Sequence, residues 1–239
     1  MALAPSGISA PPVRRPAEGL GAGHIAFIVD GNRRWAQAHG LSTVQGHQAG
    51  AQRIVDVLRW CDAAGVRSTS WWLLSPDNLQ RPASELAGLL AIIGELANKL
   101  MAYRRWPIRH IGDPTLLPDT LARTLAGVQE TTRQMAGPPV NLAIGYSGRR
   151  DITAAVRELA VAGTAITQAS IAAALSTGGS PDPDLVIRTS GEQRLSDFMI
   201  WQTALAELYF SPVMWPDFTH AEFTQALDSY AHRRRRFGV

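Results

Sequence analysis

The stretch HIAFIVDGNRRWA, residues 24–36, decides the fold. A short apolar run, His24–Asp30, ends in an acid. Gly31 follows, and a helix-compatible segment begins at Asn32. This is the signature of a buried strand that delivers a carboxylate to its end and turns directly into a helix. The same unit recurs along the chain. Residues 67–74 form a strand ending at Ser75. Trp106–Ile111, Val140–Gly145 and Asp184–Arg188 read as further strands. Between them lie helical patterns at residues 48–64, 84–101, 118–135 and from about Asp151, with a closing helix at 219–236. Strands alternating with helices predict a mainly parallel sheet covered on both faces. In such sheets ligands sit beyond the carboxyl ends of the strands, so the polar clusters Asp30–Arg34, Ser75–Arg81, Tyr146–Arg150 and Arg188–Ser196 should converge.

Composition limits what this fold can be. The chain has 239 residues, a net charge of +3, 46% hydrophobic and 18% charged residues, the balance of an ordinary globular protein. Residues 1–23 read as a flexible tail and 24–239 as a single domain. The tail lacks the apolar stretch of a signal peptide, and no apolar run reaches the length of a membrane span. The single Cys61 excludes an internal disulfide framework and a thiolate zinc site. The charge surplus is too small to argue for nucleic acid. Of 23 basic residues only Lys99 is lysine. Codon bias accounts for most of that ratio, yet guanidinium also matches phosphate geometry better than ammonium does.

Each cluster has a chemical reading and a plain one. Asp30-Gly31-Asn32-Arg33-Arg34 puts an acid and a helix start side by side. Free N–H groups would suit phosphate and Asp30 a magnesium ion; an Asp-Gly turn with a helix cap is the plain alternative. Gly46-His47-Gln48-Ala49-Gly50 opens the next helix, where His47 is either a phosphate or proton ligand or a cap. In Ser75–Pro82, Ser75 and Asn78 would orient a substrate or receive a proton, unless the segment is only a proline-stiffened connection. Arg188-Thr189-Ser190-Gly191-Glu192-Gln193-Arg194-Leu195-Ser196 sets two arginines and a hydroxyl around a turn. That is the chemistry of a diphosphate clamp, with structural ion pairing as the alternative. A Walker loop, a nucleophile elbow, a His-Glu-x-x-His helix and a three-glycine dinucleotide fingerprint are all missing.

In this order and spacing, HIAFIVDGNRRWA, GHQAG, SPDNLQRP, NLAIGYSGRRDI and PDPDLVIRTSGEQRLSDFMIWQTALAELYFSPVMWPDF resemble the cis-prenyltransferase family of undecaprenyl diphosphate synthase type, over about residues 24–239. The resemblance implies an α/β fold with a six-stranded, mainly parallel sheet flanked by helices, a hydrophobic tunnel and a homodimer. It implies a magnesium-dependent transfer that adds isopentenyl diphosphate to an allylic diphosphate with Z geometry. By similarity, Asp30 holds the metal. Gly31, Asn32, Arg33, Arg34 and His47 cradle the allylic diphosphate, and Trp35 packs on the prenyl chain. Arg188, Arg194 and Ser196 clamp the homoallylic diphosphate. Glu207 is the family's acid near the metal, reached from across the dimer, and Asn78 with Ser75 handles the proton.

Several positions depart from the long-chain pattern. Arg33 replaces a glycine, Thr43 an arginine, Asp77 a glutamate, Leu79 a tryptophan and Gln193 a histidine, and Asp197 adds a carboxylate beside the clamp. Arg33, Thr43 and the Leu73-Leu74-Ser75 run resemble the actinobacterial short-chain Z-farnesyl diphosphate synthases. A bulky Leu73 at the tunnel wall would stop growth near fifteen carbons, from geranyl diphosphate as the expected primer. The alternatives on this fold are irregular head-to-middle coupling, cyclisation, or a non-catalytic subunit. The expected setting is cytoplasmic, with peripheral membrane contact at the inner face.

Overall fold

A computed structural model describes residues 22–232. Six strands form one wholly parallel sheet: β1 (His24–Ile28), β2 (Ser68–Leu74), β3 (Ile108–Ile111), β4 (Val140–Ile144), β5 (Leu185–Arg188) and β6 (Glu207–Phe210), in the order β3-β4-β2-β1-β5-β6. The sheet therefore has the expected class and six strands. The sixth, β6, had no counterpart in the apolar pattern. It is an edge strand, half-buried along its whole length, so it lacks the continuous apolar run that marks β1, which is buried at all five positions.

Helices α1 (Asn32–Ala38), α2 (Thr43–Ala63), α3 (Ala83–Ala102), α4 (Asp119–Thr132), α5 (Gly148–Val161), α6 (Gln168–Ala174) and α7 (His220–His232) cover the sheet. The apolar stripes of α2, α3 and α4 bury Ile54, Leu58, Leu89, Ile93, Leu96, Leu121 and Leu125 in one large core with Phe27, Trp71 and Leu142. An aromatic column runs through it. Phe27 stacks on Trp71 at 4.2 Å, Trp71 meets Trp215 edge-on at 5.9 Å, and Trp215 stacks on Phe218 at 5.4 Å. The opposite face is thinner, with Ala26, Ile28, Ala143, Tyr146, Val186, Phe198 and Met199.

Two sequence expectations shift. Ala22 and Gly23, counted with the tail, belong to the packed structure: Ala22 is buried and the Gly23 N–H donates to Asp184 Oδ2 at 2.7 Å. Residues 1–21 and 233–239 lie outside the described residues, including the rest of the expected tail and the end of the expected last helix. GHQAG does not open α2. The helix starts at Thr43 on a Ser42–Gln45 capping box, and Gly46 and Gly50 lie in its second turn. A Cβ at Gly46 would come within 2.4 Å of the Asn32 carbonyl oxygen, and one at Gly50 within 2.2 Å of Asn32 Oδ1. The two glycines thus let α1 lie directly on α2.

β2 carries an irregularity that matters later. Its register against β4 shifts between Trp72, opposite Ala143, and Leu74, opposite Ile144, which leaves Leu73 as the extra residue of a β-bulge. As a result both Leu73 and Leu74 join the large core, whereas Trp72 packs on the opposite face.

Candidate active site

β1 lies at the centre of the sheet, with β2 on one side and β5 on the other. The chain leaves β1 toward one edge and returns later on the other, the arrangement that opens a crevice at the strand ends. A cavity of about 1170 Å³ opens there. Its rim contains Asp30, Gly31, Asn32, Arg33, Arg34, His47, Ser75, Asn78, Arg81, Arg150, Arg188 and Ser196. Its deeper wall contains Ile54, Leu73, Leu89, Ile92, Ile93 and Leu96. The expected convergence of the four polar clusters is observed.

Asp30 is the hinge of the rim. Its Oδ2 accepts from Arg188 Nη2 at 2.8 Å, and its Oδ1 lies 3.5 Å from Arg34 Nη2. Burial opposes its ionisation, but the Arg188 hydrogen bond and charge, with help from Arg34 and Ser190, outweigh it and hold the carboxyl below the ordinary carboxylate range. Thr189 braces the backbone at this point: its hydroxyl donates to the Asp30 carbonyl at 2.7 Å and accepts from the Asp30 N–H at 3.1 Å. Gly31 then turns with φ 109°, where a Cβ would meet Met214 at 3.0 Å. Only glycine fits that conformation and that space.

Arg188 is buried to 4% exposure at the end of β5. Its other terminal nitrogen, Nη1, donates to Ser196 Oγ at 2.8 Å and to the Arg194 carbonyl, while Nε is buried without a hydrogen-bond partner. The loop that wraps it holds Ser190, Ser196, Asp197 and Met199 at positive φ, a cluster of costly conformations that marks functional loops. Asp197, the extra carboxylate, does not oppose the clamp. It accepts from the Ser147 hydroxyl and from the Arg149 N–H at 3.1 Å, tying the loop to the start of α5. Arg34 donates to Ser190 Oγ at 2.6 Å, which joins α1 to the same loop.

The other side of the rim is looser. His47 is buried, and its Nε2 lies 3.8 Å from Glu85 Oε1. Burial chiefly, then the charges of Arg81 and Arg33, lower its pKa, so the ring is neutral near pH 7. Ser75 and Asn78 form a capping box at the head of the 3-10 turn Pro76–Gln80. The Asn78 N–H donates to Ser75 Oγ, and the Ser75 N–H to Asn78 Oδ1, both at 3.2 Å.

Not every expected residue reaches the cavity. Trp35 does not line it. Its Nε1 donates to Asp217 Oδ1 at 2.7 Å and its ring packs on His39. Arg194 pairs with Glu192 and is 61% exposed, outside the cavity wall. Glu207 is not brought to Asp30 within one chain. It pairs in register with Leu185, whereas Arg188 pairs with Phe210, so Glu207 starts β6 at the far end of the sheet, three residues or roughly 10 Å along the strand. The sequence reading placed Arg81 in the converging Ser75–Arg81 cluster without giving it a role, and it passed over Glu85, which looks like an ordinary acid in the first turn of a helix.

An ion of magnesium type takes one or two carboxylates and completes its shell with substrate phosphate oxygens and water. An ionised Asp30 on the cavity rim fits that need. Among the described residues no group of three or more His, Cys, Asp and Glu forms a self-contained metal cage, so the residues suit an ion that is shared with a phosphate ligand.

Comparison with known proteins agrees with this geometry. Residues 28–238 match the family model described as putative undecaprenyl diphosphate synthase. The chain is 48% identical over 226 residues to isoprenyl transferase 1 of Streptomyces avermitilis, covering 90% of this chain and 88% of the relative. It is 45% identical over 228 residues to the (2Z,6E)-farnesyl diphosphate synthase of Mycobacterium tuberculosis H37Rv, covering 90% and 87%. Among solved structures, lavandulyl diphosphate synthase from Lavandula x intermedia, in complex with dimethylallyl diphosphate, superposes with a TM-score of 0.88 at 32% identity, covering 92% of this chain and 99% of that one. Motif order, strand-end convergence and likeness over most of each chain lead to one conclusion: this chain belongs to the undecaprenyl diphosphate synthase family of prenyl-transferring enzymes.

Proposed function

We propose that the enzyme is a short-chain cis-prenyl diphosphate synthase, which joins isopentenyl diphosphate to geranyl diphosphate, releases diphosphate and stops near fifteen carbons with a new Z double bond. The observation that carries this reading is the composition of the cavity: a cationic rim at the strand ends above an apolar wall that includes Leu73.

In this reading the residues take the roles that the family resemblance implies. The backbone N–H groups at Gly31, Asn32 and Arg33, with Arg34, His47 and Arg33's own charge, hold the allylic diphosphate. Asn32 acts through its backbone, because its side chain is turned inward, with Nδ2 donating to the Val29 carbonyl at 3.1 Å. Arg188 and Ser196 hold the homoallylic diphosphate, and Arg194 swings from Glu192 to join them. Asp30 would hold a magnesium ion, which supplies electrophilic assistance to the departing diphosphate when bound. Fixed cations aimed at the charge that develops on the leaving group do most of the remaining work. Ser75 and Asn78 orient the homoallylic unit and pass on the proton lost from it, which the released diphosphate takes up. For this the Asn78 oxygen must exchange its bond to the Ser75 N–H for one to the substrate.

Glu207 acts from across a homodimer in this reading. Its distance from the Asp30 of its own chain supports that, as does the half-exposed edge strand β6 with Leu205 79% exposed beside it.

Purified enzyme with magnesium, isopentenyl diphosphate and a panel of allylic primers, analysed by mass spectrometry, tests the proposal. The expected result is one dominant C15 product with geranyl diphosphate. Turnover of dimethylallyl diphosphate alone would replace it with irregular coupling, and a ladder of long products would refute the wall assigned to Leu73.

A further inference from the structure

The nitrogen donors of the proposed allylic half come from three separate elements, yet they meet at one atom. Glu85 Oε1 lies 3.3 Å from Arg33 Nε, 3.4 Å from Arg81 Nη1 and 3.8 Å from His47 Nε2. Arg33 belongs to α1, His47 to α2, and Arg81 ends the 3-10 turn that carries Asn78. Arg33, His47 and Arg81 all line the cavity, whereas Glu85 does not; it stands outside the wall with its side chain only 11% exposed. Its Oε1 and the facing His47 Nε2 are both buried without a hydrogen-bond partner. One carboxylate oxygen thus faces three donors, each a few tenths of an ångström or more beyond close contact.

Physical chemistry gives this arrangement a purpose. Two guanidinium groups at one rim repel one another, the imidazole beside them is neutral near pH 7, and nothing in α1, α2 or the 3-10 turn alone would hold the three together. A single buried acid shared among them offsets that repulsion. It meets Arg33 through Nε and Arg81 through one Nη, so each planar group keeps further N–H donors for a ligand.

We propose that Glu85 is a positioning residue that gathers Arg33, Arg81 and His47 for the allylic diphosphate, and through Arg81 fastens the Asn78 loop to the occupied site. The inference rests on the diphosphate reading above and adds to it a residue that touches no substrate. It implies that ligand binding tightens the loose contacts, so filling the allylic half and seating the proton-handling loop are one event.

The test is Glu85→Gln, which keeps the shape and removes the charge, with Glu85→Asp as the conservative partner. Binding of geranyl thiolodiphosphate, an allylic analogue that resists ionisation, is measured with magnesium by calorimetry. Isopentenyl diphosphate is measured in parallel. The expected result for Glu85→Gln is about a tenfold weaker allylic analogue, with isopentenyl diphosphate within twofold of wild type. In turnover, KM for the allylic substrate should rise more than kcat falls. Glu85→Asp should fall between the two proteins and serves alone if Glu85→Gln fails to fold. Unchanged or tighter analogue binding in the variants would overturn the inference, and so would equal weakening of both ligands, which is the signature of a general structural role. Failure of the wild-type protein to bind either diphosphate would instead overturn the functional reading itself.

Discussion

The two halves of the rim hold their cations in opposite ways. On the β5 side Arg188 is buried, its fork already engaged by Asp30 and Ser196 at 2.8 Å, inside a loop built from left-handed residues that Asp197 and Thr189 pin to α5 and β1. On the α1–α2 side Arg33, Arg81 and His47 hover 3.3–3.8 Å around one acid. On the β5 side the buried Arg188 is set before any ligand arrives and only the exposed Arg194 has to move; on the α1–α2 side, in the proposed reading, all three groups are held near their working geometry and completed by the ligand. The two diphosphates proposed for this site give a reason for such asymmetry. In that reading the rigid half fixes where the reaction occurs, and the loose half lets the prenyl chain enter and leave.

The most severe way to break this contrast is Asp30→Ala. It removes the metal ligand and leaves the buried Arg188 without its anion, so turnover should fall by about a thousandfold or more, with a lower melting temperature; intact turnover would remove Asp30 from the chemistry. Arg188→Lys keeps the charge but cannot bridge Asp30 and Ser196 at once, and kcat/KM should drop about a hundredfold. Arg194→Lys, on the exposed side of the same loop, should raise KM for isopentenyl diphosphate about tenfold; wild-type kinetics there would return Arg194 to codon bias. Leu73→Ala should leave turnover near wild type, lengthen the product and cost about 1–2 kcal/mol in denaturant unfolding for a half-buried leucine. An unchanged product would refute the wall.

Acid should separate the halves most gently. His47 has a lowered pKa, so the stability it contributes is full above the ordinary histidine value of 6.5 and declines as pH falls from there toward its native value. Asp30 is lowered too, but as an acid: its contribution is full above the ordinary value of 3.8 and is lost only as pH falls through a still lower native value. The allylic half should therefore loosen first, seen as an early acid slope in thermal melts that His47→Gln reduces and that leaves the Asp30–Arg188 pair intact.

Much of this was legible because strands buried on both faces write themselves as short apolar runs with polar ends, as His24–Ile28 and Leu185–Arg188 do. β6 escaped because an edge strand keeps one side in solvent, and α6 because seven residues of largely alanine carry little periodicity. Asp30, Arg188 and Ser196 were found because strand-end clusters must converge in a parallel sheet. Trp35 lies outside the cavity lining where the sequence reading put it, because spacing alone does not say which way a ring on a seven-residue helix faces, and Asp217, which captures it, is 182 residues away in the chain. Glu85 was missed because its role exists only where three elements meet. The Ser42–Gln45 box was a readable signal for the true start of α2.

The bulge at Leu73 has a bearing on how such an enzyme can change over generations. Because one surplus residue puts Leu73 and Leu74 on the same face, it also sets the phase in which the chain leaves β2 and enters the Ser75–Asn78 box. Deleting or adding a residue here would rotate the Ser75–Asn78 box along with Leu73. Under the role proposed for Leu73, product length is free to drift by substitution at position 73 but closed to insertion and deletion, so in this part of the chain a lineage would retune the size of what it makes one side chain at a time while its length stays fixed.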